Sequence, residues 1–312
     1  MSKAILITTS SFSASDPGPR EELSRVGLEI HANPFGRKLT EAEILDLLGR
    51  HRPSGLIAGL EPLTARVLES AAAHLRVISR CGVGVDNVDQ DAARRLGIRL
   101  FNTPEAPVEA VAELAVALIL ACLRRVPEAD RAMRAGQWKQ LQGSLLGAKT
   151  VGIVGCGRIG RRVAALVRAF GSRVLAHDPA AGATCDGVER VGLDELFAAS
   201  DIVTLHLPFS EATRHLVGRG RLERMRRGAV LVNASRGGLV DEAALAEALK
   251  SGRLSAAALD VFETEPYSGA LRELPNVVLT PHMGSAAVEC RVRMEREAAV
   301  NLIGGLKECG VL

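Results

Sequence analysis

At 312 residues the chain is long enough for two domains with separate cores, because single cores stop growing near roughly 250 to 300 residues. Its 39 basic and 36 acidic residues leave a net charge of +3, which supplies no field strong enough to hold nucleic acid or an anionic membrane, so small molecules or protein are the expected partners. The six cysteines (Cys81, Cys122, Cys156, Cys185, Cys290, Cys309) are scattered singly, without a CxxC pair or a His-containing ligand spacing. That pattern points to no metal centre and to reduced thiols in the cytoplasm. After Met-Ser-Lys the chain enters a β-rich run with no cleavable apolar segment, which points away from secretion.

From residue 4 to residue 102, short β-branched runs at 4–8, 28–31, 55–58, 76–79 and 99–101 read as strands. Between them, segments such as 40–51 and 64–73 carry apolar residues at helical spacing, with Thr40 placed as an N-cap. Such alternation predicts a parallel, doubly wound sheet. The run Asn102-Thr103-Pro104-Glu105-Ala106-Pro107 is a turn-rich break, followed by a helix over 108–123 that reads as a domain crossover. Its apolar stretch, 114–123, falls well short of the roughly 20 residues that a bilayer needs, so it is expected to be a buried helix. A second βα series begins at 150 and continues through 173–176, 202–207, 230–233, 257–259 and 277–280. In the final segment Val288, Val292, Ala299, Ile303 and Leu306 form an apolar stripe, which is expected to return to the N-terminal domain after a second crossover near Ser285. The expected division is 1–103 with 286–312, and 104–285.

Within the second series, Gly155-Cys156-Gly157-Arg158-Ile159-Gly160 follows the strand 150–154 and opens a helix over 161–169, with Gly171 as its stop. Glycines at these positions permit a tight turn and a close backbone approach to a pyrophosphate at the helix N-terminus. The next strand runs into Asp178, whose carboxylate suits both adenosine ribose hydroxyls and would repel a 2′-phosphate, favouring NAD over NADP. Cys156 fills a variable loop position. His206 and Pro208, at the end of the strand 202–207, line the cofactor cleft on one reading; on the other, His206 is a core histidine. Arg219, Arg221, Arg224, Arg226 and Arg227 lack interleaved aromatics and read as a solvated helix face.

Three polar residues each follow a short apolar run: Arg236 in NASRGG, Glu265 in LDVFETEP and His282 in TPHMGS. That spacing predicts all three at the carboxyl edge of a parallel sheet, where open α/β folds bind ligands. Reduction of a 2-oxo acid requires a cation for the carboxylate, an acid for the new alkoxide and a hydride donor. Arg binds carboxylates bidentately and stays charged; His exchanges a proton near neutral pH; an adjacent Glu fixes the imidazole ring.

With these residues the chain resembles the D-isomer-specific 2-hydroxyacid dehydrogenases, nearest their phosphoglycerate dehydrogenase and hydroxypyruvate reductase branch. The resemblance covers essentially the whole chain through RCGVGVDNVD (80–89), VGIVGCGRIG (151–160), LVNASRGGLVDE (231–242), ALDVFETEP (258–266) and TPHMGS (280–285). It implies a Rossmann NAD-binding domain inserted into a discontinuous, flavodoxin-like substrate domain, and a homodimer built through the NAD-binding domain. It makes Arg236, Glu265 and His282 the catalytic triad and places Asp260 beside the nicotinamide. Ala234, Ser235 and Gly284 join the cofactor-binding set. Arg80 and the N–H groups of Val83 and Gly84 join Arg236 and His282 at the substrate.

The implied reaction interconverts a D-2-hydroxy acid and its 2-oxo acid, with 3-phosphoglycerate as the leading substrate. Where such relatives carry a basic residue for the phosphate, this chain reads Gly59-Leu60-Glu61-Pro62, and the segment Lys139-Gln140-Leu141-Gln142 is less basic than theirs. Hydroxypyruvate, glyoxylate or a phosphonate-type substrate are therefore the alternatives. A serine-sensing regulatory domain is not expected after Leu312. An NAD-sensing, corepressor-like binding protein is the competing reading from a different functional class.

Overall fold

The computed structural model describes residues 2–180 and 187–312, so Cys185 lies outside the described residues. The chain divides into two compact units, one made of Met1–Pro107 and Ser285–Leu312, the other of Val108–Gly284.

In the first unit, β1 (Ala4–Ile7), β2 (Glu29–Ala32), β3 (Gly55–Ala58), β4 (Val77–Arg80) and β5 (Arg99–Asn102) form a five-stranded sheet in the order β2-β1-β3-β4-β5. Every pairing is parallel. Strands β1, β3 and β4 are buried along their whole length and read as uninterrupted apolar runs or nearly so, as expected of strands covered on both faces. The helices α1 (Gly18–Arg25), α2 (Glu41–His51), α3 (Ala65–Ala71) and α4 (Gln90–Arg95) connect them. Their starts are chemically marked. Thr40 and Glu43 close a capping box on α2, and Thr64 and Asp89 accept the N–H groups of Val67 and Ala92.

The second unit opens with α5 (Val108–Arg124) and α6 (Val126–Arg134). Its strands are β6 (Thr150–Val154), β7 (Arg173–His177), β8 (Glu189–Arg190), β9 (Ile202–Leu205), β10 (Ala229–Asn233), β11 (Leu254–Leu259) and β12 (Val277–Leu279). The sheet order is β12-β11-β10-β9-β6-β7-β8, again with parallel pairings throughout. Helices α7 (Arg158–Ala169), α8 (Leu193–Ala199), α9 (Arg219–Arg224) and α10 (Glu242–Lys250) complete the alternation. Strand order reverses at β6, which lies between β7 and β9, and the glycine loop follows that strand. A crevice outside the carboxyl ends of the strands at such a switch point is where doubly wound sheets bind nucleotides. Helix α5 is buried on most of its surface, and no helix among the described residues is long and apolar enough to cross a membrane.

Helix α11 (Val288–Glu308) returns to the first unit and packs on β3, β4, β5 and α1. Its buried face differs from the expected stripe. Ala299 and Leu306 are buried as expected, but Val288 is exposed, Val292 and Ile303 are only half-buried, and Cys290, Met294, Ala298 and Leu302 complete the covered face. The reason is close approach: a Cβ on Gly305 would lie 2.8 Å from Phe101 and Val77, while Leu302 and Leu306 fill the space above Gly55.

Two further boundaries differ from the sequence reading. Helix α7 begins inside the glycine loop at Arg158, because Gly157 already has the extended backbone of an N-cap. The two-residue β8 is too short and too charged to register as a strand.

Leu302 is fully buried, so Leu302→Ala is expected to destabilise the first unit by about 2 to 5 kcal/mol, read as a lower urea midpoint. An unchanged midpoint would remove Leu302 from the core.

Candidate active site

All three candidate catalytic residues lie just beyond the carboxyl ends of neighbouring strands in the second unit: Arg236 after β10, Glu265 after β11 and His282 after β12. His282 has a left-handed backbone (φ 52°), and its N–H donates to the carbonyl oxygens of Asp260 (2.8 Å) and Thr280 (3.1 Å). Its Nδ1 lies 2.8 Å from Glu265 Oε2. A carboxylate there makes Nδ1 the donor and leaves Nε2 as the nitrogen that can meet a ligand. Glu265 is itself held, because its Oε1 accepts the Phe262 N–H at 3.2 Å.

Arg236 is half-buried. Its Nη1 donates to the Ser235 carbonyl at 2.7 Å, and its own carbonyl accepts from Asn233 Nδ2 at 2.8 Å. The next residue, Gly237, touches the chain beside Glu265 so closely that a Cβ would lie 1.9 Å from the Phe262 carbonyl carbon. Asp260 is only 1% exposed. Its Oδ1 accepts from Thr280 Oγ1 (2.6 Å) and the Met283 N–H (2.8 Å), and its Oδ2 accepts the Gly284 N–H (2.8 Å). Both oxygens therefore serve the loop that presents His282.

The glycines after β6 divide their tasks. A Cβ on Gly155 (φ 103°) would lie 2.6 Å from the His206 carbonyl, and one on Gly160 would lie 1.9 Å from the Gly155 carbonyl. Gly157 has open space instead, at the N-terminus of α7. Two glycines thus permit tight packing and one leaves room for a ligand's phosphates, so this loop fits a dinucleotide. Arg158 is exposed, and Ile159 packs partly against the core below it. Asp178, after β7, accepts the Cys156 N–H on Oδ2 (2.6 Å) and the Ala180 N–H on Oδ1 (2.8 Å), which ties the acidic residue to the loop. At the end of β9, Pro208 is exposed and Leu207 O accepts the hydroxyl of Ser235, next to the buried Ala234.

In the first unit, Arg80 ends β4 and is buried, with Nη1 on the Cys81 carbonyl. Gly82 is fixed by Thr103, whose Oγ1 accepts its N–H at 2.8 Å. Val83 is exposed, and Asn102 Nδ2 donates to its carbonyl at 2.7 Å. Among the described residues no protein acceptor takes the N–H of Val83 or of Gly84.

Residues 116–284 match the family model described as the NAD-binding domain of D-isomer-specific 2-hydroxyacid dehydrogenases. The chain is also 38% identical over 298 residues to a hydroxypyruvate reductase from Thermotoga maritima, covering 94% of this chain and 93% of that one. The chain belongs to the D-isomer-specific 2-hydroxyacid dehydrogenases. A D-3-phosphoglycerate dehydrogenase from Archaeoglobus fulgidus is 44% identical over 246 residues, but this dehydrogenase spans only 47% of its length. The TT0316 protein from Thermus thermophilus superposes with a TM-score of 0.88 at 40% identity, covering 98% of this chain and 97% of its own. The protein is therefore an NAD-dependent oxidoreductase, and its two parallel α/β units are those of the family's fold.

The sequence left the role of His206 in this dehydrogenase open between cofactor cleft and core. Its Nε2 lies 3.0 Å from Thr204 Oγ1, while Nδ1 is buried with no protein partner. Burial pushes its pKa down to about 4. Sequence reasoning missed several contacts: the His215 and Glu263 pair, the Glu242 carboxylate that accepts the Glu263 N–H, and Thr103 beneath Gly82. Each joins residues far apart in the chain and leaves no local pattern to find. The clustered arginines do lie on the surface, but Arg219, Arg224 and Arg226 are paired there with Glu247, Asp194 and Asp201.

Because His206 is lowered from the ordinary 6.5, it stabilises the folded enzyme above that pH, and this contribution is lost as pH falls toward about 4. The melting temperature is expected to drop more steeply between those values in the native enzyme than in His206→Gln. Parallel curves would show that His206 titrates normally.

Proposed function

We propose that the enzyme reduces short, unphosphorylated 2-oxo acids of the hydroxypyruvate and glyoxylate type to D-2-hydroxy acids, using Arg236, Glu265 and His282. The observation that carries the reading is the His282 and Glu265 pair at 2.8 Å beside the Arg236 loop, at adjoining strand ends of the NAD-binding domain. In this reading the Arg236 guanidinium grips the substrate carboxylate and polarises the 2-oxo group, aided by the N–H groups of Val83 and Gly84. NADH, when bound, supplies the hydride that reaches C2. His282 gives its Nε2 proton to the substrate oxygen, and Glu265 holds the ring and accepts Nδ1–H. The 155–160 loop, with Gly157 open and Arg158 and Ile159 beyond it, cradles the pyrophosphate, and Asp178 selects the unphosphorylated ribose of NAD. Residues Ala234, Ser235, His206, Pro208 and Gly284 border the cofactor, with Asp260 supporting Gly284 from below.

The first unit serves as the substrate domain in this proposal, and two residues after β3 favour an uncharged tail. Leu60 is exposed, while Glu61 is 1% exposed and bonded to Thr8 Oγ1 and the Gly59 N–H. Burial pushes the Glu61 carboxyl up, against the pull of Thr8, Gly59 and Arg80. Neither residue offers a phosphate any positive charge. A phosphorylated substrate is the second reading, supported by Arg80 at the end of the adjacent strand.

A homodimer through the NAD-binding domain is also part of the proposal. Helix α6 has no buried residue, Val126 and Met133 on it are exposed, and Trp138 beyond it is 85% exposed. Apolar groups so placed call for a covering surface. The cytoplasm is the proposed compartment: Cys81, Cys122 and Cys290 are unlinked, and burial pushes them up to about 11, 12 and 11, which makes them inert.

Oxidation of NADH should be fastest with hydroxypyruvate or glyoxylate, slower with phosphohydroxypyruvate, and slow for every substrate when NADPH replaces NADH. His282→Ala is expected to lower kcat on the order of 10² to 10⁴-fold with NADH binding retained. Full turnover in that variant would remove His282 as the acid. Light scattering after size exclusion should report a dimer that Trp138→Ala weakens; a monomeric native enzyme at micromolar concentration would overturn the assembly.

A further inference from the structure

We infer that His215 is a positioning residue for the reaction, a second histidine–carboxylate pair that sets the geometry of the catalytic one. The inference rests on the roles proposed above for Arg236, Glu265 and His282.

His215 grips two loops at once. Its backbone N–H donates to the Gly238 carbonyl at 2.8 Å, two residues beyond Arg236. Its Nε2 lies 2.9 Å from Glu263 Oε1, two residues before Glu265. The adjoining segment continues the attachment, since Val217 N–H donates to Leu239 O (2.9 Å) and Asp241 N–H donates to Val217 O (3.1 Å). The Arg236 loop is thereby sewn to residues 215–217, and the His215 ring reaches onward to the loop that bears Glu265.

From Glu263 the connection to the reacting proton is short. The Glu263 N–H is held at 2.8 Å by Glu242 Oε1 at the start of α10. The preceding residue, Phe262, donates its N–H to Glu265 Oε1, and Glu265 Oε2 meets His282 Nδ1. The Phe262 carbonyl also forms the surface against which Gly237 is pressed. Any movement of the Phe262-Glu263 peptide therefore tilts the Glu265 carboxylate, turns the His282 ring and shifts the Arg236 loop together.

His215 is held in a backbone conformation (φ 48°) that a residue with a side chain rarely adopts. It occupies the third position of the turn 213–216, which follows the 3-10 turn Glu211–Thr213 and is closed by the Leu216 N–H on the Thr213 carbonyl at 3.1 Å. The side chains of His215 and Glu263 are 41% and 38% exposed, so the pair adds little to global stability. A small displacement of a proton donor has a far larger effect on turnover.

The test uses the full chain with whichever 2-oxo acid it reduces fastest. His215→Ala and Glu263→Ala are expected each to lower kcat about tenfold, with the KM for NADH within twofold and melting curves that overlay the native one. The solvent deuterium isotope effect on kcat should rise in both, because proton delivery becomes slower. His215→Gln, which keeps a donor within reach of Glu263, should recover most of the loss. A kcat within twofold of native in His215→Ala would overturn the inference. So would a loss shared by NADH binding and melting temperature with no change in isotope effect. His282→Ala and Glu265→Gln run alongside: if both turn over normally, the triad reading fails and His215 has nothing to position; if both are impaired while His215→Ala is not, only the present inference fails.

Discussion

A carboxylate taken almost completely out of water is costly unless hydrogen bonds compensate it, and Asp260 receives three, from Thr280, Met283 and Gly284. Its own carbonyl accepts the His282 N–H, so one residue at the end of β11 fixes the backbone of the whole turn after β12. The left-handed conformation of His282 is retained because the bonds on both sides of it leave the turn no slack. Everything proposed for the acid depends on that rigidity: ring orientation, the Glu265 contact and the identity of the free ring nitrogen follow from where the turn sits.

Parallel pairing supplies the larger frame. Because every strand of the second sheet points the same way, the turns after β6, β7, β9, β10, β11 and β12 all open at one edge. Glycines then decide how closely these turns approach one another. Gly155, Gly160 and Gly237 each sit where a Cβ would overlap a neighbouring backbone, so the nucleotide loop and the Arg236 loop are compact for the same steric reason. Side-chain chemistry is added to this frame mainly by residues placed one to three positions past a strand.

That arrangement explains how much was legible beforehand. Apolar runs flanked by turn residues located the strands, the capping signals at Thr40 marked a true helix start, and Arg236, Glu265 and His282 were visible because each closes such a run. What escaped were relations between distant positions. Glu61 stands out in the sequence only as the place of a missing basic residue, yet it is buried against Thr8, just past β1. His215 belongs to no motif in the sequence, and only the fold brings it to Glu263. On α11 the buried face is turned from the predicted stripe toward Met294 and Leu302, and Gly305, which lets the helix close on Phe101 and Val77, carries no hydrophobic signal.

The two-segment construction of the first unit has a consequence for the order of events during synthesis. Its sheet is covered by α11, whose Leu302 and Leu306 lie over Gly55, so that core cannot close until α11 has left the ribosome. Residues 108–284 are continuous and can fold earlier. Their two ends meet: a Cβ on Gly284 would lie 3.3 Å from Val111 near the start of α5. Once that unit is folded, the segments on either side of it emerge close together. A chain closure that would span the whole insertion then costs no more entropy than a short loop. The inserted unit thus acts as a staple for the one that surrounds it.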